Sequence, residues 1–160
     1  MADAVRKLAL RHELLAKLTV ALDAARAAHA AAIEGSTHPE AKAENDKDTR
    51  GLEQSYLARG VAQRVADLEA GIQDVTHMEL KAFGPDGRVE MSALVTAVED
   101  GVTHELWIAA AGGGTVLAGG VQVLTPSAPL GRALLGKRVG DEVEVPLAGR
   151  TRTLTITALR

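Results

Sequence analysis

Cysteine is absent from these 160 residues, which excludes a disulfide framework, a thiolate metal site and a cysteine nucleophile. Aromatic residues are nearly absent as well. Tyr56, Phe83 and Trp107 are the whole set, so the core must be aliphatic. A long apolar run is missing too: Asp23, Arg26 and His29 interrupt the stretch from Leu18 to Ile33, which is too soon for a membrane span. Arg6, Lys7, Arg11 and Glu13 break the first segment in the same way, and it does not read as a secretory signal. There is no basic excess either. A net charge of -3 and a pI near 5.9 lack the footprint of a general nucleic-acid binder. The expectation is a soluble, cytoplasmic chain with no membrane contact and no direct sequence-specific nucleic-acid binding.

Catalytic patterns are missing in turn. His12, His29, His38, His77 and His104 are scattered without HExxH or HxH spacing. Ser36, Ser55, Ser92 and Ser127 lie in no GxSxG elbow. Gly112 to Gly114 lack the pattern of a phosphate-binding loop around them and read as a strand connection. These gaps weigh against a self-contained active site, and no stably bound cofactor is expected.

What is present is helix-forming sequence on both sides of an acidic connection. Residues near 4 to 33 read as one helix of roughly 45 Å, with Leu8, Leu15 and Leu22 recurring every seven residues and Leu18, Ala25 and Ala32 filling the alternate seam. Gly35 fits a helix stop. The return helix carries Gln54, Ala58, Val61, Val65, Leu68 and Ile72 at steps of three and four, and Leu52, Tyr56 and Leu57 are candidates for packing near the turn. Between the helices, Glu34 to Glu53 holds six acids (Glu34, Glu40, Glu44, Asp46, Asp48 and Glu53) against Lys42, Lys47 and Arg50. A solvated helix connection, its acids complementing the positive start of the second helix, reads the same way. So does a site at the end of an antiparallel hairpin. A homodimeric coiled coil is the structural rival.

Periodicity changes near Thr76 to short β-like segments separated by turn chemistry. MELKAF precedes the turn Gly84 to Gly87, and RVEMSALVTAVE ends at Asp100-Gly101, a hairpin signal. THELWIAA, TVLAGG and VQVLTP follow. A short helix is expected from Pro129 to about Leu135, ended by Gly136. EVEVPL and TRTLTITALR alternate as strands of an antiparallel sheet. The fold class from these residues is α+β, a helical hairpin followed by a small β-rich domain. Trp107 is read as a core residue.

The stretch Ser127 to Val145, SAPLGRALLGKRVGDEVEV, is similar to the C-terminal signature of the Gre family of bacterial transcript cleavage factors. TRTLTITALR fits the end of the same domain. AENDKDTRGLEQSYLARG, above all Glu44-Asn45, resembles a Gre-type coiled-coil tip of a group distinct from standard GreA and GreB. The resemblance implies an N-terminal antiparallel coiled-coil hairpin over residues 1–76, with its acidic tip at about 34–53, and an FKBP-like antiparallel β-rich domain with a short helix over 77–160. It implies binding of RNA polymerase and entry of the tip into the secondary channel. There acidic residues help hold a Mg²⁺ ion, transiently, in the polymerase's own active site, and so stimulate cleavage of backtracked RNA. The chain is then an accessory factor and not an enzyme, and is expected to be monomeric.

The family tip reads approximately D-L-S-E-N. Placing its Glu-Asn on Glu44-Asn45 puts Ala41 where the family has Asp. Glu44 is the first metal-facing candidate, Glu40 can replace the missing acid from an i, i+4 position, and Asp46 and Asp48 are further candidates. Arg132, Lys137 and Arg138 are candidate docking residues, with ordinary surface charge as the competing reading. An FKBP-like domain also raises prolyl isomerase activity, which the scarcity of aromatics speaks against. Two alternatives stay open: a non-cleaving regulator or inhibitor that occupies the channel, and a homodimeric coiled-coil adaptor unrelated to polymerase.

Overall fold

The computed structural model describes residues 1–37 and 50–160. Two helices come first, α1 (Ala2–Thr37) and α2 (Arg50–His77). The strands β1 (Leu94–Glu99), β2 (Val102–Ile108), β3 (Val116–Leu117) and β4 (Val121–Leu124) follow, then the short helix α3 (Pro129–Leu134), β5 (Glu142–Leu147) and β6 (Arg150–Leu159). The chain divides into two compact units. One is Ala16–Ile72; the other joins Met1–Leu15 to Gln73–Arg160.

The unit Ala16–Ile72 is an antiparallel pair of helix segments. Arg26 reaches Glu69 at 3.1 Å, and Gly35 lies against Gln54. Leu18, Leu22, Ala25 and Ala32 are buried on α1. On α2 the expected seam of Gln54, Ala58, Val61, Val65, Leu68 and Ile72 is half-buried throughout. Two expectations fail here. Gly35 does not stop α1, which continues to Thr37; a Cβ at Gly35 would sit 2.9 Å from Gln54 Oε1, so the glycine serves close approach of the helices. Leu52, Tyr56 and Leu57 do not pack and are more than half exposed. At 100° per residue Leu52 and Tyr56 point away from the seam containing Gln54, Ala58 and Val61, and the Arg59 guanidinium stands 5.5 Å from the centre of the Tyr56 ring.

In the other unit the first turns of α1 lie on the β-rich part. The expected heptad start at Leu8 is displaced, since Leu8 is half exposed while Lys7, Leu10 and Leu14 are buried. The reason is the sheet-side partner: Leu14 seats against Gly112, where a Cβ would come within 2.6 Å of Leu14 Cδ1. The six strands form one sheet in the order β3-β4-β2-β1-β6-β5. β1 and β2 are joined at Asp100 and Gly101, both with positive φ (50° and 78°), the two-residue turn that Asp-Gly favours. β2 and β4 pair in parallel, and the other pairings are antiparallel.

One face of the sheet carries the aliphatic core: Val95, Ala97, Leu106, Ile108, Val143, Val145, Leu154 and Ile156, closed by Leu130 and Leu134 of α3. Trp107, fully buried, donates its Nε1–H to the carbonyl of Ser92 at 3.2 Å. The MELKAF segment forms no strand. Side chains take up its backbone groups instead: Arg11 Nη1 donates to Met78 O (2.9 Å), Lys7 Nζ to Lys81 O (2.7 Å), and Lys81 N–H donates to Ser92 Oγ (2.8 Å). β1 starts only at Leu94 because Ser92 has φ 71° and Val89 is bonded to Lys137 O. The architecture is the expected α+β one, a helical hairpin followed by a β-rich domain with a short helix; the parallel pairing of β2 with β4 makes the sheet mixed where a wholly antiparallel one was expected.

Candidate functional site

Two regions were expected to carry function, the acidic end of the hairpin and the cations after Pro129. Glu40, Glu44, Asp46 and Asp48, together with Ala41, lie outside the described residues. The described residues that flank them place Gly35 against Gln54, so the two helices are in close approach where the acidic segment leaves and returns. Among the described residues no group of three histidine or carboxylate side chains is arranged to hold a metal ion.

The second region is fully described, and most residues of its SAPLGRALLGKRVGD run have an identifiable structural task. Pro129 occupies the first turn of α3, where its missing N–H costs nothing. Leu130 and Leu134 enter the core. Gly131 faces backbone, because a Cβ there would lie 2.0 Å from Thr125 O. Gly136 takes the left-handed conformation (φ 81°) just past the helix. From there the chain is held on two sides. Gly136 N–H donates to Val89 O (2.8 Å), Val89 N–H donates to Lys137 O (2.8 Å), and Gly140 N–H donates to Ile156 O (2.8 Å). Asp141 Oδ2 accepts from Arg138 N–H at 2.8 Å, closing the turn.

Arg132, Lys137 and Arg138 are the basic residues of this run, and their side chains do none of this work. All three are exposed, and among the described residues their side chains make no hydrogen bond or ion pair. Beside them a groove of about 530 Å³ is lined by Ala133, Lys137, Glu142, Val143 and Glu144. Sequence reasoning missed Glu142 and Glu144 because EVEVPL was read only as a strand pattern. Their alternation with buried valines was the available signal that both acids share the solvent face.

Sequence reasoning also missed the charges that fasten the start of α1. Arg6 forks onto both carboxylate oxygens of Glu105, with Nη1 to Oε1 at 3.0 Å, and Arg160 adds a contact at 3.7 Å. The Arg6 hydrogen bonds, with the Arg6 and Arg160 charges, hold the Glu105 carboxyl below its usual range. Lys7 is 2% exposed. Its ammonium stands 4.6 Å from the centre of the Phe83 ring, and burial pushes it down to about 8. No local pattern marks Lys7 as different from Lys17, which is exposed. On the far side of the sheet Glu99 accepts from Arg152 (2.8 and 3.0 Å) and is held below the usual carboxylate range chiefly by those bonds.

These features define a class: a helical hairpin followed by a β-rich domain with a short helix, with no metal-holding cluster among the described residues. Residues 84–160 match the family of the transcription elongation factors GreA/GreB, C-terminal domain. Over those residues the chain is similar to the GreA/GreB C-terminal domain. Solved structures similar to it include GreA factor homolog 1 (Gfh1) of Thermus thermophilus, 17% identical over 91% of this chain and 94% of that one, with a TM-score of 0.40. Gfh1 of Thermus aquaticus is 20% identical over 90% and 92%, with a TM-score of 0.42. A GreA/GreB elongation factor of Nitrosomonas europaea is 24% identical over 68% and 91%, with a TM-score of 0.37. Among curated proteins none matches significantly. Among the described residues no helix is long and apolar enough to cross a membrane.

Proposed function

We propose that this chain is a transcription factor of the Gre type that binds RNA polymerase and presents the acidic end of its helical hairpin to the secondary channel, where it stimulates Mg²⁺-dependent cleavage of backtracked RNA. The observation that carries this reading is the match of residues 84–160 to the GreA/GreB C-terminal domain, preceded by a helical hairpin whose stretch from Glu34 to Glu53 has six acids and three bases. The pinned turn with Arg132, Lys137 and Arg138 is the docking face. The chain acts as a monomer and as an accessory factor, since the catalytic apparatus belongs to the polymerase.

The donor chemistry of the connection fits a shared Mg²⁺. The ion keeps several waters and needs only one or two carboxylates from any one protein, and Glu44 with Glu40 supplies that number. When bound, the ion supplies Lewis-acid activation for hydrolysis. The chain's own part is to bring negative charge and oxygen donors to a site that has its other ligands already.

The test is RNA cleavage in a purified, backtracked elongation complex with Mg²⁺, with and without this protein. Faster shortening of the transcript supports the reading. Ala41, standing where the Gre tip has Asp, favours a second reading, a channel-occupying regulator that does not cleave. That reading requires polymerase binding with no acceleration and with reduced synthesis. Absence of polymerase binding overturns both.

A further inference from the structure

β5 is an edge of the sheet, and its backbone polarity can be assigned residue by residue. Ile156 N–H donates to Asp141 O at 3.0 Å, and the register runs Val143↔Leu154 and Val145↔Arg152. In an antiparallel ladder both backbone groups of alternate residues turn to the same side. Val143 and Val145 therefore spend theirs on β6, Asp141 gives β6 its carbonyl while its N–H donates to Arg138 O at 3.0 Å, and Glu142 and Glu144 turn theirs outward. Pro146 falls in the outward phase, where a residue without an N–H disturbs no ladder bond. Two consecutive outward positions are thus open before the proline ends the run.

An open edge alone is common and is often only a surface to be protected. This edge differs because the groove lined by Ala133, Lys137, Glu142, Val143 and Glu144 runs beside it. A strand edge on one side and a helix with its following turn on the other is the arrangement by which a sheet accepts an extended peptide. The charges around the groove are separated. Glu142 and Glu144 are exposed on the solvent face of β5, and among the described residues neither carboxylate has an ion pair. Lys137 stands on the helix side.

We propose that β5 and this groove take up an extended segment of a partner protein by strand addition. The segment alternates basic side chains, over Glu142 and Glu144, with small apolar ones facing the groove, and carries an acidic group at Lys137. The main-chain bonds come from Glu142 and Glu144; the charges set the register. This interaction shares Lys137 with the polymerase-docking face proposed above but does not depend on that reading, and its test contains no polymerase.

The probe is a short fluorescent peptide alternating lysine and valine and ending in glutamate, titrated against the full chain. The expected result is saturable binding, with amide resonances of Glu142 and Glu144 shifting most and exchanging more slowly with solvent. A peptide of the same sequence, N-methylated at alternate amides, should bind at least tenfold more weakly. Glu144→Pro, which removes an outward N–H together with the carboxylate, should do the same, and the N-methylated peptide tests the main-chain bonds alone and keeps the test valid if that variant fails to fold. Equal binding of the N-methylated peptide, shifts centred elsewhere, or no saturable binding would each overturn the proposal.

Discussion

A methyl group on residue 131 would meet the carbonyl oxygen of Thr125 at 2.0 Å. Gly131 therefore lets α3 lie directly on the Thr125–Pro126 backbone, and that contact sets the height of Leu130 and Leu134 over the core. Gly131→Ala should cost about 3 kcal/mol, at the upper end of overpacking, because the obstacle is backbone and cannot rotate away. Chemical denaturation of the two proteins measures it; an unchanged midpoint would mean that α3 shifts without penalty.

Lys7 makes stability depend on pH in the alkaline range. Its ammonium is pushed down to about 8 in the fold, against 10.5 for an ordinary lysine. Between those values the unfolded chain holds more protons than the folded one, so stability rises with pH across the window, by up to about 3 kcal/mol. Below 8 the burial penalty is present in full. Lys7→Met should flatten the rise when unfolding is followed from pH 7.5 to 10, and a slope that persists in the variant would assign it elsewhere.

The Arg6–Glu105 pair acts at the opposite end of the scale. Glu105 titrates below its usual range, chiefly through its bonds to Arg6. Its contribution is present above the ordinary carboxylate value and is lost as pH falls through the lower folded one. Both side chains are partly exposed, so Glu105→Gln should cost about 1 kcal/mol at neutral pH and make the acid limb of the stability curve shallower. A limb of unchanged steepness would show that Glu105 does not drive it.

Because Arg132, Lys137 and Arg138 are exposed and unpaired within the described residues, their joint replacement by glutamate should leave the thermal midpoint within a degree or two. Polymerase affinity should fall at least tenfold. Co-sedimentation or surface binding with purified polymerase reads this, and an affinity that does not change would return the three residues to ordinary surface charge.

Glu44→Gln is expected to abolish transcript-cleavage stimulation while polymerase binding stays within a few-fold. If the native chain does not stimulate cleavage, Ala41→Asp is the informative variant: it restores the family's second carboxylate and should produce stimulation. Cleavage rates in backtracked complexes separate these outcomes. A rate indifferent to Glu44 in a stimulating protein would remove it from the metal-facing role.

Much of this fold could be read locally. The α2 seam, the Asp100-Gly101 turn and the limits of α3 depend on residues three or four positions apart, or on the φ preference of a single glycine. Such signals survive without knowledge of any partner surface. Alternation in EVEVPL and TRTLTITALR worked for the same reason, since one buried face imposes a period of two. The candidate site was legible only in composition: Lys137, Glu142 and Glu144 could be counted, but their arrangement around one groove could not.

What the chain alone determined was where α2, α3, β5 and β6 form and that turns separate the strands, because these follow from short-range sterics and hydrophobic period. Only the tertiary structure decided which apolar and charged groups share the interior. Leu8 was left half exposed and Lys7 buried because Gly112, Phe83 and the Lys81 carbonyl sit on one side of α1. MELKAF lost its strand because side chains distant in sequence satisfy its backbone. The parallel register of β2 with β4 and the outward phase of Glu142 and Glu144 were set in the same way. Each depends on contacts between residues far apart in the chain, whose energies no local pattern contains.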